Sequence, residues 1–69
     1  MKATRDMIGK TLVFQLRDGE GSEWEPELRG KVLRISFSTD NPNGMVEVNK
    51  PGNWQEDDGG EYCRFLRVE

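Results

Sequence analysis

Apolar and polar residues alternate along four short segments of this chain, which is the period of a half-buried β-strand. The segments run from Lys10 to Arg17, from Leu28 to Ser38, from Met45 to Asn49 and from Glu61 to Val68. Each is rich in β-branched or aromatic residues and is bounded by turn-forming residues. The pattern therefore predicts strands throughout, with at most one helical turn before the first of them.

The same alternation predicts the core, because every second side chain of a strand points to the same face. The residues predicted on the apolar faces are Leu12, Phe14, Leu16, Leu33, Ile35, Phe37, Val46, Val48, Tyr62, Leu66 and Val68. Gly30 is interpreted as a bulge or bend at which the second strand switches faces. Cys63 is interpreted as a small core hydrophobe.

Four to five short antiparallel strands in 69 residues predict one all-β domain spanning residues 1–69. The expected fold is a small barrel or a strongly bent sheet, SH3-like in architecture, although the ALYDY stretch of SH3 signalling domains is absent. Asn43-Gly44 signals a tight turn that needs a positive φ. The other two connections are longer than a hairpin requires, and long loops are where binding residues tend to lie.

Acidic residues are concentrated in those two long connections. Residues 18–27 and 56–61 hold nine of the 13 Asp and Glu residues and no Lys or Arg. All ten Lys and Arg and only four acids lie elsewhere, so the formal net charge of −3 is the sum of −9 in these segments and +6 in the rest. Such a charge distribution predicts attraction for cationic partners.

The two tryptophans, Trp24 and Trp54, lie in or beside the acidic segments. In a four-stranded meander both connections leave from the same end of the sheet, so both indoles are expected in one anionic site; an extra strand at Asn53 to Gln55 would break this parity. Tryptophan faces bind cations, which favours a protein partner with a basic surface. The predicted partner-binding residues are Glu20, Glu23, Trp24, Glu25, Trp54, Glu56, Asp57 and Asp58. The structural alternative is that each indole covers the core and the acids are solvated loop surface.

Two other functions are compatible with the sequence. Small β-barrels bind nucleic acid through basic strand faces with aromatic stacking, and Tyr62 or Phe65 could be the stacking platform here. The phosphate-binding residues would be Arg29, Lys31, Arg34, Arg64 and Arg67, although the net negative charge disfavours this reading. The third possibility is a homodimer, because a small sheet has exposed edges.

The residues that most enzymes need are missing from this sequence. It has no histidine and a single cysteine, so a nucleophile would lack its usual base and a thiolate or imidazole metal site is excluded. We therefore predict a non-enzymatic binding module or inhibitor without a cofactor or metal, leaving open a weak Ca²⁺ site at Glu56, Asp57 and Asp58. No apolar run has the length of a signal peptide core or a membrane span, so we expect a cytoplasmic protein without membrane contact.

Overall fold

The computed structural model describes residues 1–49, 52–54 and 61–69. In these ranges the chain forms one 3-10 turn, Arg5–Met7, followed by the strands β1 (Thr11–Leu16), β2 (Leu28–Ser36), β3 (Met45–Val48), β4 (Asn53–Trp54) and β5 (Cys63–Val68). All strand pairs are antiparallel, in the order β4-β3-β2-β1-β5. The all-β prediction is confirmed. Within the described residues no helix is long and apolar enough to cross a membrane.

The sheet is strongly bent but is not closed into a barrel, since β4 and β5 are the two ends of the strand order. β2 has nine residues and pairs with β1 through its first half and with β3 through its second half. The ring of Phe14 on β1 nevertheless lies 5.8 Å from the ring of Trp54 on β4. In a flat sheet three strand spacings would separate these strands by about 14 Å, so the sheet must fold over its own core. The predicted strongly bent sheet is confirmed.

The core fills the concave side of this bend. Its largest members, Leu12, Phe14, Val32 and Val46, are completely buried, and Ala3 and other apolar residues of the N-terminal segment, β2, β3 and β5 complete it. The apolar faces predicted for β1 and β3 are therefore confirmed. Cys63 also belongs to this buried cluster, as predicted.

β2 contains an irregularity at Leu33, which lies between the residues that pair with Val48 and with Glu47. A bulge residue reverses the alternation of side chains on either side of it. The side chains of Val32 and Ile35 are therefore both buried, while that of Leu33 is 47% exposed. The prediction that Leu33 belongs to the core was wrong, because strict alternation assumes an uninterrupted ladder.

The predicted positions of Phe37 and Gly30 were also wrong. Phe37 follows Ser36, the last residue of β2, and its side chain is 43% exposed because the strand no longer fixes its direction. A Cβ atom at Gly44 would lie 2.9 Å from its ring. Gly44 has a φ of +94°, which confirms the predicted positive φ of this turn.

Gly30 pairs regularly with Leu12, so the bulge lies three residues farther along β2 than predicted.

A second bulge changes the faces of β5. Phe65 pairs with Phe14 of β1, and Arg67 pairs with the adjacent Val13. Leu66, between them, is therefore an extra residue in β5. Phe65 is therefore buried and Val68 packs against the core from the other side of the bulge. Tyr62 is 52% exposed. The prediction that Tyr62 belongs to the core was wrong, for the same reason as at β2.

Candidate docking surface at the β1–β2 loop

The loop between β1 and β2 begins as an extension of their hairpin. If the register of β1 and β2 is continued, Pro26 lies opposite Leu16, but proline has no N–H to donate. The amide of the preceding residue, Glu25, therefore donates to the Leu16 carbonyl, at 2.8 Å. The side-chain amide of Gln15 donates in turn to the Glu25 carbonyl at 3.0 Å. The backbone of Glu25 is thus held along the end of β1.

The tip of the loop is a tight turn fastened to the segment before β5. The Ser22 amide donates to the Gly19 carbonyl at 3.0 Å, and Gly21 has the positive φ, +85°, that such a turn needs at its third position. The guanidinium of Arg17 donates to the Glu61 carbonyl at 2.6 Å and to the Ser22 carbonyl at 3.4 Å. The acidic loop is therefore an ordered part of the fold.

Trp24 is half-buried and lies against two arginines of the sheet. The guanidinium carbons of Arg17 and Arg64 are 4.2 Å and 4.3 Å from the centroid of its ring. Arg64 is the cross-strand neighbour of Gln15 and donates to its side-chain oxygen at 2.9 Å. A cation–π contact contributes about 0.5–1 kcal/mol at an exposed site and about 2 kcal/mol when desolvated. The indole therefore fixes the acidic loop to the convex face of the sheet.

Trp54 has a different environment. It pairs with Val46 on β3 and packs its ring on Phe14. Phe14 and Gln15 are consecutive on β1 and point to opposite faces, so the indole of Trp54 lies on the concave face and that of Trp24 on the convex face. The structure does not bring the two indoles into one site, because β4 is the extra strand that breaks the predicted parity.

Three carboxylates within or beside the strands are paired with strand arginines, whereas Asp6, Asp40 and Glu61 form no ion pair with a described residue. Arg67 contacts Glu27 at 2.8 Å, and Arg34 contacts Glu47 at 2.6 Å. Arg29 donates to Glu69 at 3.0 Å, and this hydrogen bond lowers the pKa of the Glu69 carboxyl. The hydrogen bond to Glu27 likewise raises the pKa of Arg67. These pairs are exposed and add little to stability, but they neutralise the strand surface.

The carboxylates of the loop tip have no such partners in the described part of the chain. The four acids Asp18, Glu20, Glu23 and Glu25 are exposed. None of them forms an ion pair with a residue of 1–49, 52–54 or 61–69. Glu56, Asp57 and Asp58, predicted in the same surface, lie outside the described residues. The described part of the chain also contains no group of three or more potential metal ligands.

The alternative nucleic-acid face is largely compensated by the chain's own acids. Three of its five predicted phosphate ligands are held by carboxylates, namely Arg29, Arg34 and Arg67. Phe65 is only 5% exposed and cannot stack on a base.

Val13 is completely buried although it faces away from Phe14, and its cross-strand neighbours are Arg29 and Arg67. The aliphatic stems of these arginines can cover it, which gives them a structural role.

Three residues of the candidate surface were not predicted for it. Arg17 and Arg64 supply the cations over Trp24, and the exposed ring of Tyr62 lies beside the loop, 3.8 Å from where a Cβ of Gly19 would be. Arg17 could have been placed by its parity with Gln15, two residues earlier on the same face. Arg64 depends on a long-range register that the sequence does not reveal.

No protein-family model, curated protein or solved structure that was compared with this chain matches it. The function must therefore be argued from the geometry and charge of the chain itself. At the loop tip, residues 18–25, exposed carboxylates without an ion pair among the described residues lie beside the half-buried Trp24 and the exposed ring of Tyr62. We refer to residues 18–25 and Tyr62 as the acidic surface.

Proposed function

We propose that this protein is a small non-enzymatic binding module that docks on a basic protein partner through the acidic surface. The observation that supports the proposal is the concentration of four exposed carboxylates in one short, ordered loop tip, in contrast to the carboxylates along the strands. Those along the strands, such as Glu27 and Glu47, are paired with arginines. Those at the loop tip are exposed and have no counter-ion among the described residues.

Unpaired like charges in one short loop repel each other and disfavour the compact state. A partner with Lys or Arg side chains relieves that repulsion when it binds, whereas a phosphate backbone would increase it. The ordered turn at Gly19 and Ser22 and the stacked Trp24 hold the carboxylates in place before binding. A preorganised loop loses less conformational entropy on association than a flexible one does.

The proposal predicts a loss of affinity when the loop is neutralised. The probe is a fluorescein-labelled peptide of Arg-Gly repeats, titrated by fluorescence anisotropy at low ionic strength. In the double variant Glu20→Gln, Glu23→Gln we expect about fivefold weaker binding, because two exposed charge pairs contribute about 0.5 kcal/mol each. Added salt should weaken the binding of the wild-type protein, since it screens exposed charges.

The matched control is the double variant Asp6→Asn, Asp40→Asn, which removes the same charge at the opposite end of the sheet. Asp6 lies in the turn before β1, and Asp40 lies between β2 and β3. We expect its affinity to equal that of the wild-type protein. Equal losses in both double variants would show that only net charge matters, and absence of binding to the wild-type protein at low salt would refute the proposal.

A further inference from the structure

We infer that the ring of Trp24 is a guanidinium-binding surface that Arg64 occupies in the free protein, and that an arginine of the partner replaces Arg64 there. This inference rests on the proposed function and adds the chemistry of the partner. The partner would present an arginine-bearing segment, and Arg64 would compete with that segment for the ring of Trp24. The two arginines over Trp24 are held by different numbers of contacts.

Arg17 is firmly anchored. Its side chain donates to the backbone carbonyls of Glu61 and Ser22, and its own amide donates to the Tyr62 carbonyl at 3.0 Å. Removing Arg17 from the ring would therefore break the bonds that connect the loop to the start of β5. Arg17 is part of the scaffold of the surface.

Arg64 is held by fewer contacts. Among residues 1–49, 52–54 and 61–69, its guanidinium donates one hydrogen bond, to the side chain of Gln15, and stacks on Trp24. It forms no ion pair within the described part of the chain, although the residues on either side of Trp24 are acids. Its replacement therefore breaks no charge pair there, and the released guanidinium regains hydration. The ring keeps a cation in contact throughout the exchange.

A guanidinium suits this position better than an ammonium does. It is planar, stacks on aromatic rings and is more weakly hydrated than the lysine ammonium. The structure already places two such groups within 4.3 Å of the centroid of the ring. A partner arginine that takes the position of Arg64 brings its neighbouring cations close to the unpaired carboxylates of Glu23 and Glu25. We therefore expect arginine to be preferred over lysine.

The test measures the affinities of Arg-Gly and Lys-Gly repeat peptides for the wild-type protein and for the variant Arg64→Met. Methionine keeps the length of the side chain and removes the guanidinium. We expect about threefold tighter binding of the Arg-Gly peptide to R64M, which corresponds to loss of a competing cation–π contact of about 0.5–1 kcal/mol. The gain for the Lys-Gly peptide should be smaller.

The variant Arg34→Met is the matched control, because it makes the same substitution at an exposed arginine of β2 that contacts Glu47. The variant Arg64→Lys keeps the charge and is expected to tighten binding of the Arg-Gly peptide as well. If the wild-type protein binds but R64M gains no more than R34M, or gains equally for both peptides, the inference is refuted and the proposed function stands. If neither peptide binds any of the proteins, both fail.

Discussion

Replacement of Trp54 by alanine is expected to lower the free energy of unfolding by about 2–4 kcal/mol. The indole packs on Phe14 at 5.8 Å between ring centroids and closes the bend of the sheet from β4. Truncating a buried aromatic to alanine costs about 3–5 kcal/mol, and Trp54 is only partly buried. A domain of this size is stabilised by only a few kcal/mol, so W54A should be largely unfolded in moderate urea. Urea denaturation followed by circular dichroism measures the change.

The control is Trp54→Phe, which keeps an aromatic ring over Phe14 and removes the indole N–H. That N–H is buried and has no hydrogen-bond partner among the residues that the structure describes, and leaving a buried donor unsatisfied costs about 1–3 kcal/mol. Loss of the larger ring lowers the free energy of unfolding, and loss of the unsatisfied donor raises it. The free energy of unfolding of W54F should therefore lie within about 1 kcal/mol of the wild-type value. Equal stability of W54A and wild type would contradict the assignment of Trp54 to the core.

Replacement of Trp24 by alanine is expected to act on binding more than on stability. The loop keeps its backbone bonds to Leu16 and Gly19, and only the contacts with the two guanidinium groups are lost, each worth about 0.5–1 kcal/mol. Binding of the Arg-Gly peptide should weaken by about tenfold or more, because truncating an aromatic anchor in an interface costs about 2 kcal/mol. Anisotropy titration and urea denaturation of the same preparation separate the two effects.

Trp24→Phe is the matched variant, since phenylalanine keeps an aromatic face but binds cations less well than tryptophan does. Its affinity should lie between those of W24A and the wild-type protein. An unchanged affinity in W24A would remove Trp24 from the docking surface. A large loss of stability in W24A would instead make Trp24 a core residue like Trp54.

The regular parts of the fold could be predicted from the sequence. Leu12 and Phe14 on β1, and Val46 and Val48 on β3, follow strict alternation, and all four are buried. The prediction failed where the ladder is interrupted. Leu33 and Leu66 are extra residues in β2 and β5, and the alternation beyond each of them is reversed. A bulge is set by the pairing of two strands, so one strand's own pattern does not reveal it.

The candidate site shows the same limit. Both tryptophans have glycine and acidic neighbours in the sequence, yet Trp54 joins a short strand of the bent sheet while Trp24 stacks on arginines of the convex face. The concentration of negative charge in residues 18–27 can be read directly from the sequence. The positions of the two cations over Trp24, above all that of Arg64, depend on tertiary contacts, which override local sequence preferences.

We propose that residues 18–25 and Tyr62 form the docking surface of this protein. The most direct test is a two-dimensional ¹H–¹⁵N NMR titration of the ¹⁵N-labelled wild-type protein with the Arg-Gly peptide at low salt. We predict that the amide shifts, together with the indole N–H shift of Trp24, are concentrated in residues 17–25 and 61–64. Shifts centred on Arg34 and Glu47, or shifts spread evenly over the sheet, would contradict the claim.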